Sequence, residues 1–304
     1  MTPEPYPSLP RTALLLLATL LAAGVLATLA IAFLDGWPEL LRMALPTEIA
    51  LLGATLWAVR RTRLGWREAL LWRPLERDAW APLALILVGS VTVFSELYLV
   101  MQRIVPVPEA FERAMRELLG ISGRADLIVT VAVAVVIAPI LEEALFRGVI
   151  LQGLARRHGP RAATVWTALA FALFHFYNPW QLVPTFFLGL VLAWLVLTTG
   201  TIRSAILVHG AFNAISLVVY AAPLDRSASG GSPAWIVVGV IAFFLAGSLG
   251  LLAGLAWLEG RMGGGWFSAV PPAGSPPLGE PAAPGGDGYT EPAGSPTGPS
   301  AARR

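Results

Sequence analysis

The 304-residue sequence contains no cysteine and no lysine, only three histidines, and just 13% charged residues. Without cysteine, neither a disulfide framework nor a thiolate metal site is available, and the chain carries no redox signature of its compartment. All 21 basic residues are arginine. With abundant Ala, Gly, Leu and Pro, this bias points to a GC-rich, bacterial genome. Soluble domains carry about a quarter of their residues as charges. Here 56% of residues are hydrophobic and the mean hydropathy is +0.69, so the composition is that of a polytopic membrane protein. The pI of about 9.4 rests on a net charge of only +2, which makes no case for nucleic acid as a partner. Membrane orientation accounts for the arginines better.

Runs near 20 apolar residues mark candidate spans of a bilayer. About eight occur, at 12–34, 46–60, 80–102, 127–155, 162–178, 182–199, 202–222 and 234–258. The first has Arg11 before it, as a signal peptide would, but its apolar stretch exceeds the roughly 7–15 residues of a signal core. It is read as retained. The expected fold is therefore all-α, a polytopic transmembrane bundle. Its regions are 1–124 with the first spans, 125–220 as a central core, 221–262 with the last span, and 263–304. That last region is rich in Pro, Gly, Ser and Ala and is expected to be disordered.

Orientation follows from the arginines. The segment after the second span carries Arg60, Arg61, Arg63, Arg67, Arg73 and Arg77, and the one after the fourth carries Arg156, Arg157 and Arg161. Even-numbered exits and both termini are thus expected on the cytoplasmic side of a bacterial inner membrane. Segment 103–125 mixes four arginines with acids and reads as an external amphipathic helix.

Against this apolar background the polar exceptions carry the information. A charge near mid-bilayer costs about 2.5–3.5 kcal/mol on the insertion scale, yet "LEEALFRGVI" places Glu142, Glu143 and Arg147 within six residues at the end of the run Leu127–Leu141. "FALFHF" adds Phe171 with His175, and "HGAFNA" adds His209 with Asn213. Each group contains an i, i+4 pair, which shares one helical face. Glu142 stands 15 residues before Arg157 and His175 stands 14 after Arg161, or about 22 and 21 Å at the helical rise. His209 and Asn213 follow Arg203 by about 9 and 15 Å on the same rise. All three groups fall in the cytoplasmic half or near the midplane, where they can share a cavity. His158, in "RRHGP", reads as a solvated loop residue, and Glu96 reads as an interfacial acid near Arg103. Glu143 has Arg147 at i+4, whereas Glu142 has Phe146 there, so one carboxylate is paired and the other is left for chemistry.

E-E-x-x-x-R, F-x-x-x-H and H-x-x-x-N, in this order on successive helices over about residues 125–220, resemble the CPBP intramembrane proteases. That family includes the type II CAAX prenyl endopeptidases and bacterial bacteriocin-processing and immunity proteins. The resemblance implies that Glu142 and His175 activate water, that His209 and Asn213 stabilise an oxyanion, and that Glu143, Arg147, Phe146 and Phe171 support the site. The CAAX label implies prenylated C-termini, which a bacterium is not expected to make, so the expected substrate is a peptide or membrane-protein segment. The cofactor stays open: Glu142, His175 and His209 have the composition of a catalytic zinc site with one open position, whereas the absence of H-E-x-x-H favours metal-independent glutamate chemistry. Two other classes compete. A proton-coupled transporter also places Glu and His at mid-depth, but usually with inverted repeats or paired broken helices, and none is evident. A non-catalytic scaffold or immunity protein of the same fold is the other.

Overall fold

In lipid a chain must satisfy its own backbone, which long apolar runs without partner strands do as helices. The computed structural model describes residues 6–37, 39–62, 64–118, 123–221 and 234–262, and among them there is no strand. The principal helices are α1 (Leu9–Phe33), α2 (Glu39–Thr62), α3 (Trp80–Ile104), α4 (Glu109–Leu118), α5 (Arg124–Phe174), α6 (Leu182–Thr199), α7 (Ile202–Ala221) and α8 (Ala234–Met262).

Among the described residues six helical stretches are long and apolar enough to cross a membrane: Leu9–Phe33, Arg77–Ile104, Arg124–Phe174, Pro179–Thr199, Ile202–Val219 and Ile241–Met262. The eight expected spans map onto these and α2. Segment 127–155 and most of 162–178 lie in α5, and 46–60 lies in α2, which also carries Arg42, Glu48, Arg60 and Arg61. The amphipathic helix expected in 103–125 is α4. Phe111 of α4 meets Trp180 at a ring separation of 4.8 Å, and the Trp180 indole donates to the Val105 carbonyl at 2.6 Å. The tail 263–304, expected to be disordered, lies outside the described residues.

Helix α5 is 51 residues long, but it is not one rod. At Gly159 φ is +79°, a region open to glycine because it has no Cβ, and Pro160 follows. The chain turns there, giving a first arm, 124–158, and a second, 160–174. The first arm packs on α2 and α7, the second on α6, and α3 packs on α6, α7 and α8. Leu145, Phe146, Ile150, Leu151, Phe171, Leu192 and Leu195 are buried at the centre. Leu14, Leu17, Leu21 and Val25 of α1 face outward. A soluble protein rarely exposes such a patch; here lipid is the solvent that covers it. The most polar motif of the chain therefore sits in its most enclosed region.

Candidate active site

The first arm of α5 carries the Glu142–Arg147 motif between two stretches, 131–137 and 144–150, wound more loosely than an α-helix. Such turns make i→i+5 bonds and often sit at functional sites. In the first of them the Ala138 N–H reaches back to the Val133 carbonyl. The next nitrogen belongs to Pro139, which has no hydrogen to give. The Ala134 carbonyl is thereby left without a helical donor, and Asn213 of α7 supplies one: its Nδ2 donates to Ala134 O at 2.9 Å. Gly210, one turn earlier on α7, makes this approach possible. A Cβ there would lie 2.7 Å from the Val135 carbonyl oxygen. Proline, glycine and asparagine together dock α7 against the first arm.

Docking brings His209 onto the acidic pair. Its Nδ1 lies 2.9 Å from Glu143 Oε1, the same oxygen that accepts from Arg147 Nη1 at 3.0 Å. The Glu143 and Arg147 side chains are 0% exposed. Arg147 Nη2 also donates to the Gly189 carbonyl of α6 at 3.2 Å, and its guanidinium lies 4.3 Å from the Phe171 ring centre, a favourable stacking geometry for arginine. Glu143 is therefore doubly held, once within its helix and once from α7.

Glu142 differs. Its Oε2 has no hydrogen-bond partner among the described residues, and its side chain is 12% exposed where that of Glu143 is closed off. His209 Nε2 lies 3.8 Å from this oxygen. This is longer than a hydrogen bond, so the two groups face each other across a small gap.

The second arm of α5 ends at Phe174, one residue before His175, so His175 caps the helix instead of standing inside it. Helix ends leave carbonyls without partners, and His175 Nδ1 takes that of Phe171 at 2.8 Å. Its ring and that of His209 both pack edge-on against Phe171, at 4.8 and 5.7 Å. Phe146 closes the other side of Phe171 at 5.2 Å. With Nδ1–H given to a carbonyl in one case and a carboxylate in the other, Nε2 is the reactive nitrogen of both imidazoles, as assigned from these bonds. His158, expected in a loop, is exposed but helical, at the end of the first arm of α5.

Charge counting is informative in a low-dielectric site. The formal charges of Glu142, Glu143 and Arg147 sum to minus one. Glu48 is a further acid at this site. It is 7% exposed on α2, and Glu142 is its charged neighbour. Tyr177, in the turn after the second arm, lies in the field of both carboxylates. The signal for Glu48 was an acid inside the 46–60 span, in "LPTEIALL"; an intramembrane carboxylate is a functional candidate by default.

As a metal site the arrangement does not fit. Among the described residues no three His, Asp or Glu side chains are grouped so as to hold a metal ion. Glu142 and His209 approach as a pair, while His175 is tied back to its own helix end.

A family model, "Type II CAAX prenyl endopeptidase Rce1-like", matches residues 124–215. No curated protein and no solved structure matches the chain. The matched segment begins with the first arm of α5 and ends on α7, two residues past Asn213, so it contains all three motifs and the contacts that join them. Over residues 124–215 this integral membrane protein is thus similar to the type II CAAX prenyl endopeptidase Rce1-like family, in agreement with the resemblance that the three motifs carry.

Proposed function

We propose that the protein is an intramembrane endopeptidase that hydrolyses a peptide bond of a membrane-associated peptide or protein, using water activated by Glu142 and His175. The observation that carries this reading is the inequality of the two adjacent glutamates. Glu143 is tied through Oε1 to both Arg147 and His209 and is closed off from solvent, whereas Glu142 is partly open and faces an imidazole nitrogen 3.8 Å away.

Hydrolysis of an amide needs a base for water and donors for the developing oxyanion. Glu142 takes a proton from water, and the free Nε2 of His175 accepts the other water hydrogen and aims the oxygen. The hydroxyl adds to the carbonyl carbon, and charge moves to the carbonyl oxygen. His209, held at Nδ1 by Glu143, turns Nε2 toward that oxygen and in its imidazolium form donates Nε2–H to it. Asn213 has a second Nδ2 hydrogen for the same oxygen, because only one is spent on Ala134. No step needs a metal ion.

We further infer a bacterial inner-membrane location with both termini cytoplasmic, from the arginine-rich segments at 60–77 and 156–161. The experiment is cleavage of a pool of membrane-anchored peptides by purified protein in lipid nanodiscs, with fragments read by mass spectrometry. New termini appear with the wild type and not with Glu142→Gln. Equal fragments from both proteins, or none from either, overturn the reading. Chelators leave turnover unchanged. Stoichiometric zinc in the purified protein, lost in His175→Ala and in His209→Ala, would replace the metal-free mechanism but keep the protease.

A further inference from the structure

The side chains of the site divide by exposure into two layers. Glu143, Arg147 and His209, joined through Glu143 Oε1, are buried, whereas Glu142, His175 and Asn213 are each partly exposed. The helices that carry them show the same division. On the first arm of α5 every residue from 143 to 151 is buried, but from 131 to 142 only Val133 and Pro139 are. On α7, residues 208–210 are buried and 211–217 are all partly exposed. Ionisable groups at membrane depth face the bundle interior or a water-filled cavity and not lipid, so the exposure of Glu142 and His175 marks an opening.

The buried layer is sealed by segment 66–75, which follows α2. Gly148 lies just past the glutamates, and a Cβ on it would stand 2.7 Å from Leu70 Cδ2 and 3.2 Å from Leu70 Cα. Only glycine lets the segment come so close. Leu71 is buried with a φ of +50°, a conformation uncommon for a residue with a Cβ, and its carbonyl accepts the Ile202 N–H at 3.3 Å. The Thr201 hydroxyl donates to the Arg73 carbonyl at 2.8 Å, and the Arg203 guanidinium lies 5.0 Å from the Trp72 ring centre. The segment thus grips both the first arm of α5 and the start of α7. At the other end His175 leads into a turn where Phe176 and Tyr177 are each 60% exposed, with the Tyr177 ring 6.0 Å from that of His175.

We propose that substrate reaches the site only from the end of the bundle that carries the 175–178 turn and α4, and that segment 66–75 is a fixed floor. The inference rests on the endopeptidase reading. Trp180, five residues past His175, ties this mouth to the start of α4 through the Val105 carbonyl and the Phe111 ring. The floor follows the arginine-bearing end of α2, so under the orientation inferred above the mouth faces away from the cytoplasm. The partner is then a membrane-anchored chain whose scissile segment leaves its anchor on the outer side. That segment enters extended, because a helical carbonyl is already bonded within its own helix. A chain presented from the cytoplasmic side meets the floor.

The test exploits the absence of cysteine, which lets single thiols be labelled without background. In sealed vesicles, a membrane-impermeant polymer maleimide on Tyr177→Cys or on Arg67→Cys reports which end of the protein faces which side. One cleavable sequence is then joined to a transmembrane anchor in two constructions, so that it emerges on the Tyr177 side or on the Arg67 side. Cleavage is expected on the Tyr177 side and only background on the other. The polymer adduct at Tyr177→Cys should reduce turnover to background, and the adduct at Arg67→Cys should leave it unchanged. Phe176→Cys serves in place of Tyr177→Cys should that variant fold poorly. Cleavage on the Arg67 side, alone or equal to the other, overturns the proposal, as does full turnover with the mouth adduct in place. A wild type that cleaves neither construction defeats the endopeptidase reading itself, and with it this one.

Discussion

Two sides of one polar cluster can be set against each other. On the Glu143 side, a buried carboxylate, a guanidinium and an imidazole are linked by bonds of 3.0 and 2.9 Å, and the guanidinium is tied onward to α6. On the Glu142 side no such chain of bonds forms: Oε2 of Glu142 and of Glu48 are buried without partners, as Glu143 Oε2 also is, and Glu142 meets His209 Nε2 only at 3.8 Å. The covalent chemistry of these acids is the same, and Glu142 and Glu143 are neighbours in sequence. What differs is where the helix points them: residue 143 looks toward its own i+4 arginine and toward α7, and residue 142 looks into the gap before His209. One side ties the helices together, and the other takes no part in that tie.

The sharpest break of this comparison is at the acids themselves. Glu142→Gln should reduce peptide turnover to background, a loss at or beyond about 10⁴-fold, with folded yield unchanged by size-exclusion chromatography. Glu143→Gln should behave in the opposite sense, costing about 3–5 kcal/mol by leaving Arg147 buried and uncompensated. Arg147→Gln should do the same to Glu143. The double variant, Glu143→Gln with Arg147→Gln, has no charge to strand, and its amide oxygen can still accept from His209. Its thermal stability should exceed that of either single variant; a double variant no better than the worse single would mean that the pair is not the anchor.

Asn213 belongs to both sides, and the expected effect is intermediate. Asn213→Ala removes one oxyanion donor, worth about 10²–10³-fold in turnover, and also strands the Ala134 carbonyl at about 1–3 kcal/mol. The two losses should appear together, in kcat and in Tm. Pro139→Ala gives a smaller and more selective change. It restores an N–H next to the Ala134 carbonyl, so stability should hold while Asn213 loses its anchor and turnover falls within about 10²-fold. Truncation after Met262 should change nothing measurable in peptide turnover. Residues 263–304 are dominated by turn formers with no apolar period to bury. A large loss in a well-inserted truncation would make the tail a recruiter of substrate.

Much of this was legible because a membrane protein has few polar residues to misread. Apolar runs located the helices, and three motifs located the site, since a charge in lipid demands a reason. Pairing was only half legible. The i, i+4 rule linked Glu143 with Arg147, but it also linked His209 with Asn213, and these two turn to different partners on α5. Helical spacing tells which residues share a face and not what the face meets. The loosely wound turns escaped for a similar reason: Pro139 suggested a disturbed helix, but the carbonyl that would be left over depends on where the chain widens. His175 looked intramembrane and helical, yet it ends its helix, because the turn at 175–178 begins within an apolar run. Glu48 was obscured by distance in sequence from its neighbours.

The widened turns of α5 have a consequence for how such a site arises and how it can be lost. A helix advances about 100° per residue, and a turn closed by i→i+5 bonds holds one residue more than its α-helical equivalent. Each widened stretch thus behaves as a one-residue insertion absorbed without a break. Removing a single residue from 131–137 would let the segment close as an ordinary helix and rotate everything beyond it. Glu142 would swing away from His209 by roughly a quarter of a turn, with composition and hydropathy hardly changed. Among close relatives of this chain, a gap of one residue before the glutamates would therefore separate hydrolytic members from inert ones more reliably than the glutamates themselves.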